Sequence, residues 1–305
     1  MVLLIVEVFA VLSLKKVPFK MTWEETIAFI RTKPEYQDLV TKAYFHEDLE
    51  FNINNFGKSK EFEETLAIIK EYAPDANSIL DIGCGNGISS INFALKEYQV
   101  TAVEPDSSTT VGAGAIRTMK ARLNLNNIKV YEAFAEDIKF EDNSFDIVYV
   151  RQAVHHSNDL NKFIGECLRV LKPGGLLFTI RDHVIFNESD KKWFLKSHPL
   201  QKYYGGENAY TSLQYRTAMT RAGGIIEKEL KYYDSIINYF PETQQSLDRK
   251  VEEEEKRIRK KLADKLGFIG ATGFMFHIYK MMFNFHPLNE EKIPGRMYSY
   301  IVLKQ

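Results

Sequence analysis

Hydrophobic and polar positions along the chain switch repeatedly between a strand-like and a helix-like pattern. Between residues 78 and 181, five short apolar runs are separated by segments long enough to form helices. The runs are SILDIG, YQVTAVE, IKVYEAF, FDIVYV and GLLFTIR, at residues 78–83, 98–104, 128–134, 145–150 and 175–181. Such alternation predicts an α/β fold in which a mostly parallel sheet carries helices on both faces.

The segment before the first run has a helical pattern. Residues 22–73 are predicted to be helical, with a polar break at FNINNFGKS, residues 51–59. Thr22 followed three residues later by Glu25 has the spacing of a capping box, which marks a helix start. In EFEETLAIIKEYAP the apolar residues recur at helical spacing until Pro74 ends the pattern.

After residue 186 the pattern changes. A helix is predicted up to Gly223, then a strand at residues 225–235 and a closing strand at residues 296–305. These two strands bring the expected total to seven. Between them lies a charged helix from Glu242 to Leu266 with one apolar stripe, formed by Leu247, Val251, Ile258, Leu262 and Leu266.

The composition is that of an ordinary globular protein, with 45% hydrophobic and 27% charged residues and a formal net charge of −1. This balance disfavours nucleic acid as a partner, because it provides no overall positive charge. The two cysteines, Cys84 and Cys167, are too few for a disulfide framework and suit a reducing cytoplasm. The seven histidines show no metal-ligand spacing, so no metal site is expected.

The N-terminus is apolar, in the stretch MVLLIVEVFAVLSLKK, but shorter than the ~20 residues that span a bilayer, and Glu7 interrupts it. It lacks the basic start and the cleavage site of a signal peptide. Residues 1–20 therefore form an apolar extension, which either touches a membrane or packs peripherally. Met21 is an alternative start of the chain.

A glycine-rich turn follows the first strand. Glycines stand at positions 83, 85 and 87, and an acid, Glu104, ends the second strand. Such a turn is where open α/β sheets bind nucleotides. The third glycine of the dinucleotide pattern G-x-G-x-x-G would fall at Ile88, so that pattern fails, and the phosphate-binding P-loop pattern is missing from the sequence. A carboxylate at position 104 can accept hydrogen bonds from both hydroxyl groups of a ribose.

Four segments in this order closely resemble the class I S-adenosylmethionine-dependent methyltransferases of the type 11-like kind. They are ILDIGCGNG, VTAVEPD, AEDIKFEDNSFDIVYVRQAVHH and LRVLKPGGLLFTI, within residues 76–182. The resemblance implies a doubly wound, Rossmann-like sheet and S-adenosylmethionine as the cofactor. It divides the chain into the extension (1–20), a helical cap (21–74), a cofactor-binding core (75–186) and an acceptor-side part (187–305) with a helical insertion at about 242–288.

The resemblance also implies where the cofactor contacts the chain. The ribose would lie on Glu104, and the adenine between Pro105 or Asp106 and the segment 134–136, where Phe134 replaces the family's amide or carboxylate. Arg151, with Gln152 and His155, would border the transferred methyl group. The whole predicted cofactor set is Asp81, Gly83, Cys84, Gly85, Asn86, Gly87, Glu104, Pro105, Phe134, Ala135, Glu136 and Arg151.

Transfer of a methyl group to a hydroxyl or an amine requires a base, and histidine suits this role near neutral pH. His155 or His183, which follow strands four and five, is the expected catalytic base. The acceptor is expected to contact His156 and the loop HPLQKYYGGENAY at residues 198–210, in particular Tyr204, Glu207 and Asn208.

The resemblance therefore predicts O- or N-methylation of a small-molecule, saccharide or lipid-linked acceptor. A non-catalytic cofactor-binding subunit and an RNA methyltransferase remain the alternatives. The apolar segment 267–285 has three interpretations: a helix that closes the acceptor pocket, a membrane contact, or a subunit contact. The sequence predicts a cytoplasmic protein, with peripheral membrane contact left open through residues 1–20 or 267–285, and it leaves the oligomeric state undetermined.

Overall fold

The structure, a computed structural model, describes residues 20–283 and 285–305. The expectations for residues 1–19, a membrane contact or peripheral packing, lie outside the described residues. The division of the chain into four parts stays a prediction.

Four helices precede the sheet and form a layer above one of its edges. The capping box is confirmed, because Thr22 accepts from the Glu25 amide and the Glu25 carboxylate accepts from the Thr22 amide. The predicted polar break at residues 51–59 is wrong for residues 51–57, since Asp48 caps a helix that runs through Gly57 and Asn52 is buried on it; the helices are interrupted at Lys58 and Ser59. The helices are α1 (Trp23–Arg31), α2 (Gln37–Lys42), α3 (Leu49–Gly57) and α4 (Lys60–Tyr72).

The predicted mostly parallel, seven-stranded sheet is confirmed. Its strands are β1 (Ser78–Ile82), β2 (Gln99–Val103), β3 (Ile128–Tyr131), β4 (Phe145–Arg151), β5 (Leu171–Ile185), β7 (Gly224–Leu230) and β8 (Met297–Lys304), and a two-residue β6 (Tyr210–Thr211) pairs with β5. Their order is β3-β2-β1-β4-β5-β8-β7, with β8 antiparallel to both of its neighbours. The strand order reverses between β1 and β4, which is where sheets of this kind bind ligands at their carboxyl ends.

Helices cover both faces of this sheet. Those that follow β1 and contact strands are α5 (Ile88–Leu95), α6 (Ala113–Arg122), α7 (Leu160–Val170), α8 (Glu188–Ser197), α9 (Ser212–Arg221) and α10 (Ile236–Tyr239), whereas α11 (Gln244–Gly270) and α12 (Gly273–Met282) pack mainly against each other. Along β1, Leu80 and Ile82 belong to one buried cluster and Ile79 to another, as expected for a strand whose two faces are both covered. No helix within the described residues combines the length and apolarity needed to cross a membrane.

A bulge in β5 changes which side chains reach the cavity edge. Thr179 pairs with Tyr300 and Asp182 with Tyr298, so β5 has one residue more than β8 across this interval. Arg181, inside the bulge, has a φ of 60°, in the left-handed region that non-glycine residues seldom adopt. Because one extra residue reverses the side-chain alternation beyond it, the bulge determines the face on which Asp182 lies.

A buried group of three charges joins the helical layer to the sheet. Glu61 on α4 is fully buried, and its carboxylate binds the Arg151 guanidinium at 2.5 and 3.1 Å. The Arg181 guanidinium lies 3.5 Å from the same carboxylate. Burial would raise the pKa of Glu61, but the charges of Arg151 and Arg181 outweigh it, and the net effect lowers this pKa. Glu61 is therefore ionised and holds two arginines at the ends of β4 and β5.

We predict that Glu61→Ala lowers the free energy of unfolding by about 3–5 kcal/mol, because two buried guanidinium groups lose their shared counter-ion. Urea unfolding followed by circular dichroism measures the change. Glu63→Ala, on the same helix, is the control: Glu63 is exposed and pairs only with exposed Lys60, so its loss should cost less than about 1 kcal/mol. Equal effects of the two substitutions would contradict the structural role of the buried group.

Candidate functional site

A cavity of about 720 Å³ lies at the carboxyl edge of the sheet, under the N-terminal helices. Its walls come from the turns that follow β1, β2, β3 and β4, from the end of β5, and from the loop between α8 and β6. The volume is in the range of sites for small molecules and cofactors. Fifteen of the eighteen site residues predicted from sequence line it: Gly83, Cys84, Gly85, Asn86, Glu104, Pro105, Phe134, Ala135, Glu136, Arg151, His155, His156, His183, Tyr204 and Glu207. Asp81, Gly87 and Asn208 are not among its lining residues.

The three glycines after β1 have different physical roles. All three have positive φ, at 65°, 53° and 81° for Gly83, Gly85 and Gly87. A Cβ on Gly83 would lie 2.5 Å from Ala153, and one on Gly87 would lie 2.6 Å from Ile116, so these two glycines allow close packing within the protein. A Cβ on Gly85 would approach nothing closer than 3.7 Å, so Gly85 is the glycine that leaves room beside the cavity.

Asp81 stabilises the glycine-rich turn through hydrogen bonds to the start of α5. Its side chain is fully buried, and one carboxylate oxygen accepts hydrogen bonds from Ser89 and Ser90 at the start of α5, at 2.7 and 2.6 Å. Burial raises the pKa of Asp81 to about 6 in spite of these two bonds. The structure therefore does not bring Asp81 to the cavity surface, although Asp81 lies on β1 only two residues before Gly83.

Glu104 is the main polar group of the cavity beside the glycine-rich turn. One carboxylate oxygen accepts the Gly85 amide hydrogen at 2.7 Å, and the other accepts the Asp106 amide hydrogen at 3.0 Å. Burial nevertheless raises the pKa of Glu104 to about 7, and the nearby charges of Asp106 and Asp81 act in the same direction. Each oxygen keeps a further lone pair, so the carboxylate can accept two more hydrogen bonds from a ligand.

An apolar slot lies beside Glu104. Pro105, Phe134 and Ala135 line it, and the Phe134 side chain is 67% exposed, which is unusual for a phenylalanine. Glu136 also lines the cavity, and its carboxylate accepts the Asn158 amide hydrogen at 3.0 Å. The slot offers an uncovered aromatic face for a planar ring.

Asn86 and Cys84 connect the glycine turn to its surroundings. The Asn86 amide donates to the Tyr44 carbonyl at 2.8 Å, which ties the turn to the helical layer. Burial raises the pKa of Cys84 well above its usual value, so it remains a thiol. Cys84 is thus a small filler of the cavity wall.

Arg151 lines the cavity, but its charge points away from it toward Glu61. Besides the Glu61 carboxylate, the guanidinium bonds Gln152 Oε1 at 2.9 Å and lies over the rings of Tyr44 and Phe56. The sequence placed Arg151 next to a transferred methyl group. The structure instead commits its hydrogen-bond donors to the protein.

His155 lies between two buried carboxylates. Its Nδ1 is 3.0 Å from Asp182 Oδ1, and its Nε2 is 3.7 Å from Glu207 Oε2. Burial disfavours the charged imidazole, but the hydrogen bond to Asp182 and the negative charges of Asp182 and Glu207 outweigh it and raise the pKa of His155 to about 9. The ring is therefore a cation at neutral pH. This environment does not suit the role of proton acceptor that the sequence suggested for His155.

His156 and His183 are held differently from His155. His156 Nδ1 lies 3.1 Å from the Gly206 carbonyl, and His183 Nδ1 lies 2.5 Å from the Gly295 carbonyl. Because a carbonyl oxygen only accepts, each Nδ1 must carry the hydrogen and each Nε2 keeps its lone pair. Burial and the charge of His155 lower the pKa of His183 well below its usual value, so His183 is neutral.

The loop after α8 closes the other side of the cavity. The Tyr204 ring packs edge-on against Trp23 of α1, at 5.3 Å between centroids. Burial would raise the pKa of Glu207, but the bond from His155 and the charge of nearby His198 lower it to about 2. Asn208 is not at the cavity surface, so the structure does not bring it to the predicted acceptor contact.

Sequence reasoning missed several residues of the site. Trp23, Leu39 and Phe45 come from the N-terminal helices, and no local pattern connects these helices to the glycine turn. Asp182 and His198 stand beside segments that the sequence singled out, directly before His183 and at the start of the tyrosine-rich loop. Their positions after β5 and in that loop were therefore a usable signal.

The interpretation of segment 267–285 as a lid on the acceptor pocket is wrong for its described residues, since none of them lines the cavity. Phe276 is buried against α11, with the Arg259 guanidinium 4.0 Å from its ring centroid. Six other apolar side chains of the segment are 64–89% exposed: Phe268, Ile269, Phe274, Met281, Met282 and Phe283.

Comparison with known proteins gives one family match, to the methyltransferase domain, at residues 80–179. The chain is 33% identical over 99 residues to a ubiquinone biosynthesis O-methyltransferase of Bradyrhizobium sp. (strain ORS 278), covering 32% of this chain and 37% of that protein. It is 30% identical over 195 residues to phosphoethanolamine N-methyltransferase 2 of Caenorhabditis elegans, covering 62% of this chain and 43% of that protein. The chain thus spans less than half the length of both curated relatives.

Among solved structures, the fold is similar to that of phosphoethanolamine N-methyltransferase 2 from Haemonchus contortus, in complex with phosphomonomethylethanolamine and S-adenosylhomocysteine. The TM-score is 0.51 at 19% sequence identity, over 91% of this chain and 60% of that chain. At this identity the likeness concerns the fold alone.

We predict that Gly87→Ala destabilises the protein more than Gly85→Ala. At Gly85 a Cβ has room, so only the left-handed backbone is penalised, by about 1–2 kcal/mol. At Gly87 the same penalty adds to overpacking against Ile116, which gives about 2–5 kcal/mol in total. Urea unfolding of both variants measures the difference, and equal losses would contradict the separate roles of the two glycines.

Proposed function

We propose that the chain, whose residues 80–179 match the methyltransferase domain, is a class I S-adenosylmethionine-dependent methyltransferase and that it methylates an oxygen or nitrogen atom of a small-molecule, saccharide or lipid-linked acceptor. Its relatives include an O-methyltransferase and an N-methyltransferase, which supports both kinds of acceptor atom. The coverage of those relatives is partial, so the acceptor is proposed as a chemical class.

The observation that carries the proposal is the environment of Glu104. Its carboxylate is fixed by the amides of Gly85 and Asp106, keeps free lone pairs, and lies beside the exposed face of Phe134. A ribose with two hydroxyl donors and an adjoining adenine fit this pair of features, and the open side of Gly85 leaves space for the rest of the cofactor. When bound, the cofactor supplies an electrophilic methyl group on a positively charged sulfur.

The protein's own residues then have to position the acceptor and take its proton. His156 lies at the cavity with its Nδ1 hydrogen donated to Gly206 and its Nε2 lone pair available. His183 has the same arrangement through Gly295, but it is more buried. We therefore infer that His156 accepts the proton from the acceptor, while the Tyr204 and Glu207 loop positions the acceptor.

The labelling experiment described below also distinguishes two alternative functions. A non-catalytic subunit would use the same Glu104 pocket to hold the cofactor without transferring its methyl group. An RNA methyltransferase would need a cationic surface, which the formal net charge of −1 does not favour.

Methyl-labelled S-adenosylmethionine, incubated with the protein and with separated lipid, glycan, RNA and small-molecule pools of a cell extract, tests the proposal. We expect label in the lipid, glycan or small-molecule pool, and loss of labelling with Glu104→Ala. Transfer to RNA alone would replace the proposed acceptor class. Binding of S-adenosylhomocysteine without label in any pool would establish the non-catalytic alternative.

We predict that the affinity for S-adenosylhomocysteine rises with pH between 6 and 8. The pKa of Glu104 is about 7, and only the ionised carboxylate accepts from both ribose hydroxyls. At pH 6 most of the protein must lose a proton before binding, so Kd should be about tenfold higher than at pH 8. Calorimetry measures this difference.

Glu104→Gln is the matched control for that measurement. The amide removes the titrating group, so its Kd should be weaker at pH 8 and should not change between pH 6 and pH 8. The same pH dependence in this variant would contradict the assignment to Glu104.

We further propose that the exposed apolar end of α11 and α12 contacts an anionic lipid surface. The six exposed side chains follow a stretch of α11 that carries Arg257, Arg259, Lys260, Lys261 and Lys265 against the single acid Asp264. Apolar side chains beside a surplus of cations are typical of helices that lie at a membrane interface.

We predict that the protein sediments with vesicles containing phosphatidylserine and binds less well as salt increases. Phe268→Ser with Phe274→Ser should reduce the bound fraction several-fold without changing the affinity for S-adenosylhomocysteine, because neither residue lines the cavity. Phe51→Ser, an exposed phenylalanine on α3, is the control and should leave vesicle binding unchanged. Absence of binding, together with a concentration-dependent dimer that the double variant abolishes, would assign this surface to a subunit contact.

A further inference from the structure

Four of the seven histidines meet at one wall of the cavity: His155, His156, His183 and His198. They come from the turn after β4, from β5 and from the loop after α8. One ligand atom each of His155, His183 and Glu207 lie within 4.8 Å of one another. No local sequence motif predicts this group, because His155, His183 and Glu207 are far apart along the chain.

Hydrogen bonds at Nδ1 fix the imidazole rings of His155 and His183. Each Nδ1 has a fixed acceptor, the Asp182 carboxylate at 3.0 Å and the Gly295 carbonyl at 2.5 Å. Asp182 also accepts the His155 backbone amide, at 3.1 Å, so its own position is fixed. This arrangement resembles that of metal-binding histidines, whose second nitrogen donates to a carboxylate or carbonyl while Nε2 faces the ion.

The buried charges at this wall are predominantly negative, which also favours a bound cation. The side chains of Asp182 and Glu207 are 0% and 5% exposed. Among the described residues, their ion-pair partners are histidines: His155 for both, and His198 at 3.6 Å from Glu207. The buried His198 Nδ1 has no hydrogen-bond partner in the structure. With His155 protonated, the two buried carboxylates leave a net charge of −1, and a divalent cation that replaces the His155 Nε2 proton would offset both carboxylates.

We propose that Nε2 of His155, Nε2 of His183 and the Glu207 carboxylate bind one divalent first-row transition-metal ion. Two imidazoles and one carboxylate suit zinc, iron, cobalt or manganese and leave coordination positions open. Metal–ligand bonds of about 2.0–2.2 Å require the three groups to move closer together. Glu207 can supply this movement, since it follows Gly205 and Gly206 in a loop.

The ion would also contribute to methyl transfer, and this part of the inference rests on the proposed function. An open coordination position would hold an oxygen atom of the acceptor and favour its deprotonated form. His156, next to this group and outside the ligand set, would remain free to take the proton. The sequence expectation of no metal site would then be replaced by a site that only the fold assembles.

Calorimetric titration of Zn²⁺, Co²⁺ and Mn²⁺ into the full chain tests the proposal. The protein should carry no histidine tag and should be treated first with a chelator. We expect about one equivalent of at least one ion, and visible absorption bands with Co²⁺ that report nitrogen and oxygen ligands. His183→Gln and Glu207→Gln should each weaken binding at least tenfold. His277→Gln, which removes an exposed histidine of α12, should bind as the unaltered protein does.

Binding of S-adenosylhomocysteine, measured on the same samples, separates this inference from the proposed function. It also shows that each variant is folded. No saturable binding of any of the three ions to protein that binds S-adenosylhomocysteine would overturn the metal site alone. Unchanged ion affinity in both His183→Gln and Glu207→Gln would overturn it as well. Metal binding without S-adenosylhomocysteine binding would support the site and contradict the cofactor.

Discussion

The cavity depends on one buried ionic contact, that of Glu61 with Arg151 and Arg181. This contact links α4 to β4 and β5, and it directs the Arg151 guanidinium away from the cavity that Arg151 lines. Without it, two buried guanidinium groups would lose their shared counter-ion, while the apolar packing of α4 against the sheet would remain. The site is therefore built by electrostatics between layers, on top of a conventional apolar core.

Two chemically different ends result from this arrangement. At one end, Glu104 and Phe134 combine a carboxylate that has free lone pairs with an uncovered aromatic face, which suits an adenosyl group. At the other end, histidines meet buried carboxylates, among which Asp182 and Glu207 hold the His155 cation. The proposed cofactor binding and the proposed proton transfer would thus use different ends of the cavity. The fold carries the first end, while the loops carry the second, which is why the fold family leaves the acceptor open.

The exposed apolar side chains of α11 and α12 belong to neither end. They extend a helix whose last turns are cationic, and the described part of this segment does not line the cavity. A surface of this kind is consistent with delivery of a lipid-linked acceptor, and the vesicle and labelling experiments are independent tests of that idea. The proposed metal ion, by contrast, would act within the cavity.

The sequence by itself determined the local structure. Alternating apolar runs predicted the strands, the Thr22–Glu25 pair predicted a helix start, and Gly85 with Glu104 predicted the cofactor end, because each depends on residues adjacent in the chain or on strands whose ends must meet at one edge. Tertiary structure decided what depends on distant segments. The bulge at Arg181 determined where Asp182 lies, and packing between β4, β5 and a later loop surrounded His155 with carboxylates. Burial and neighbouring charge then set its pKa, which no local pattern in the sequence records.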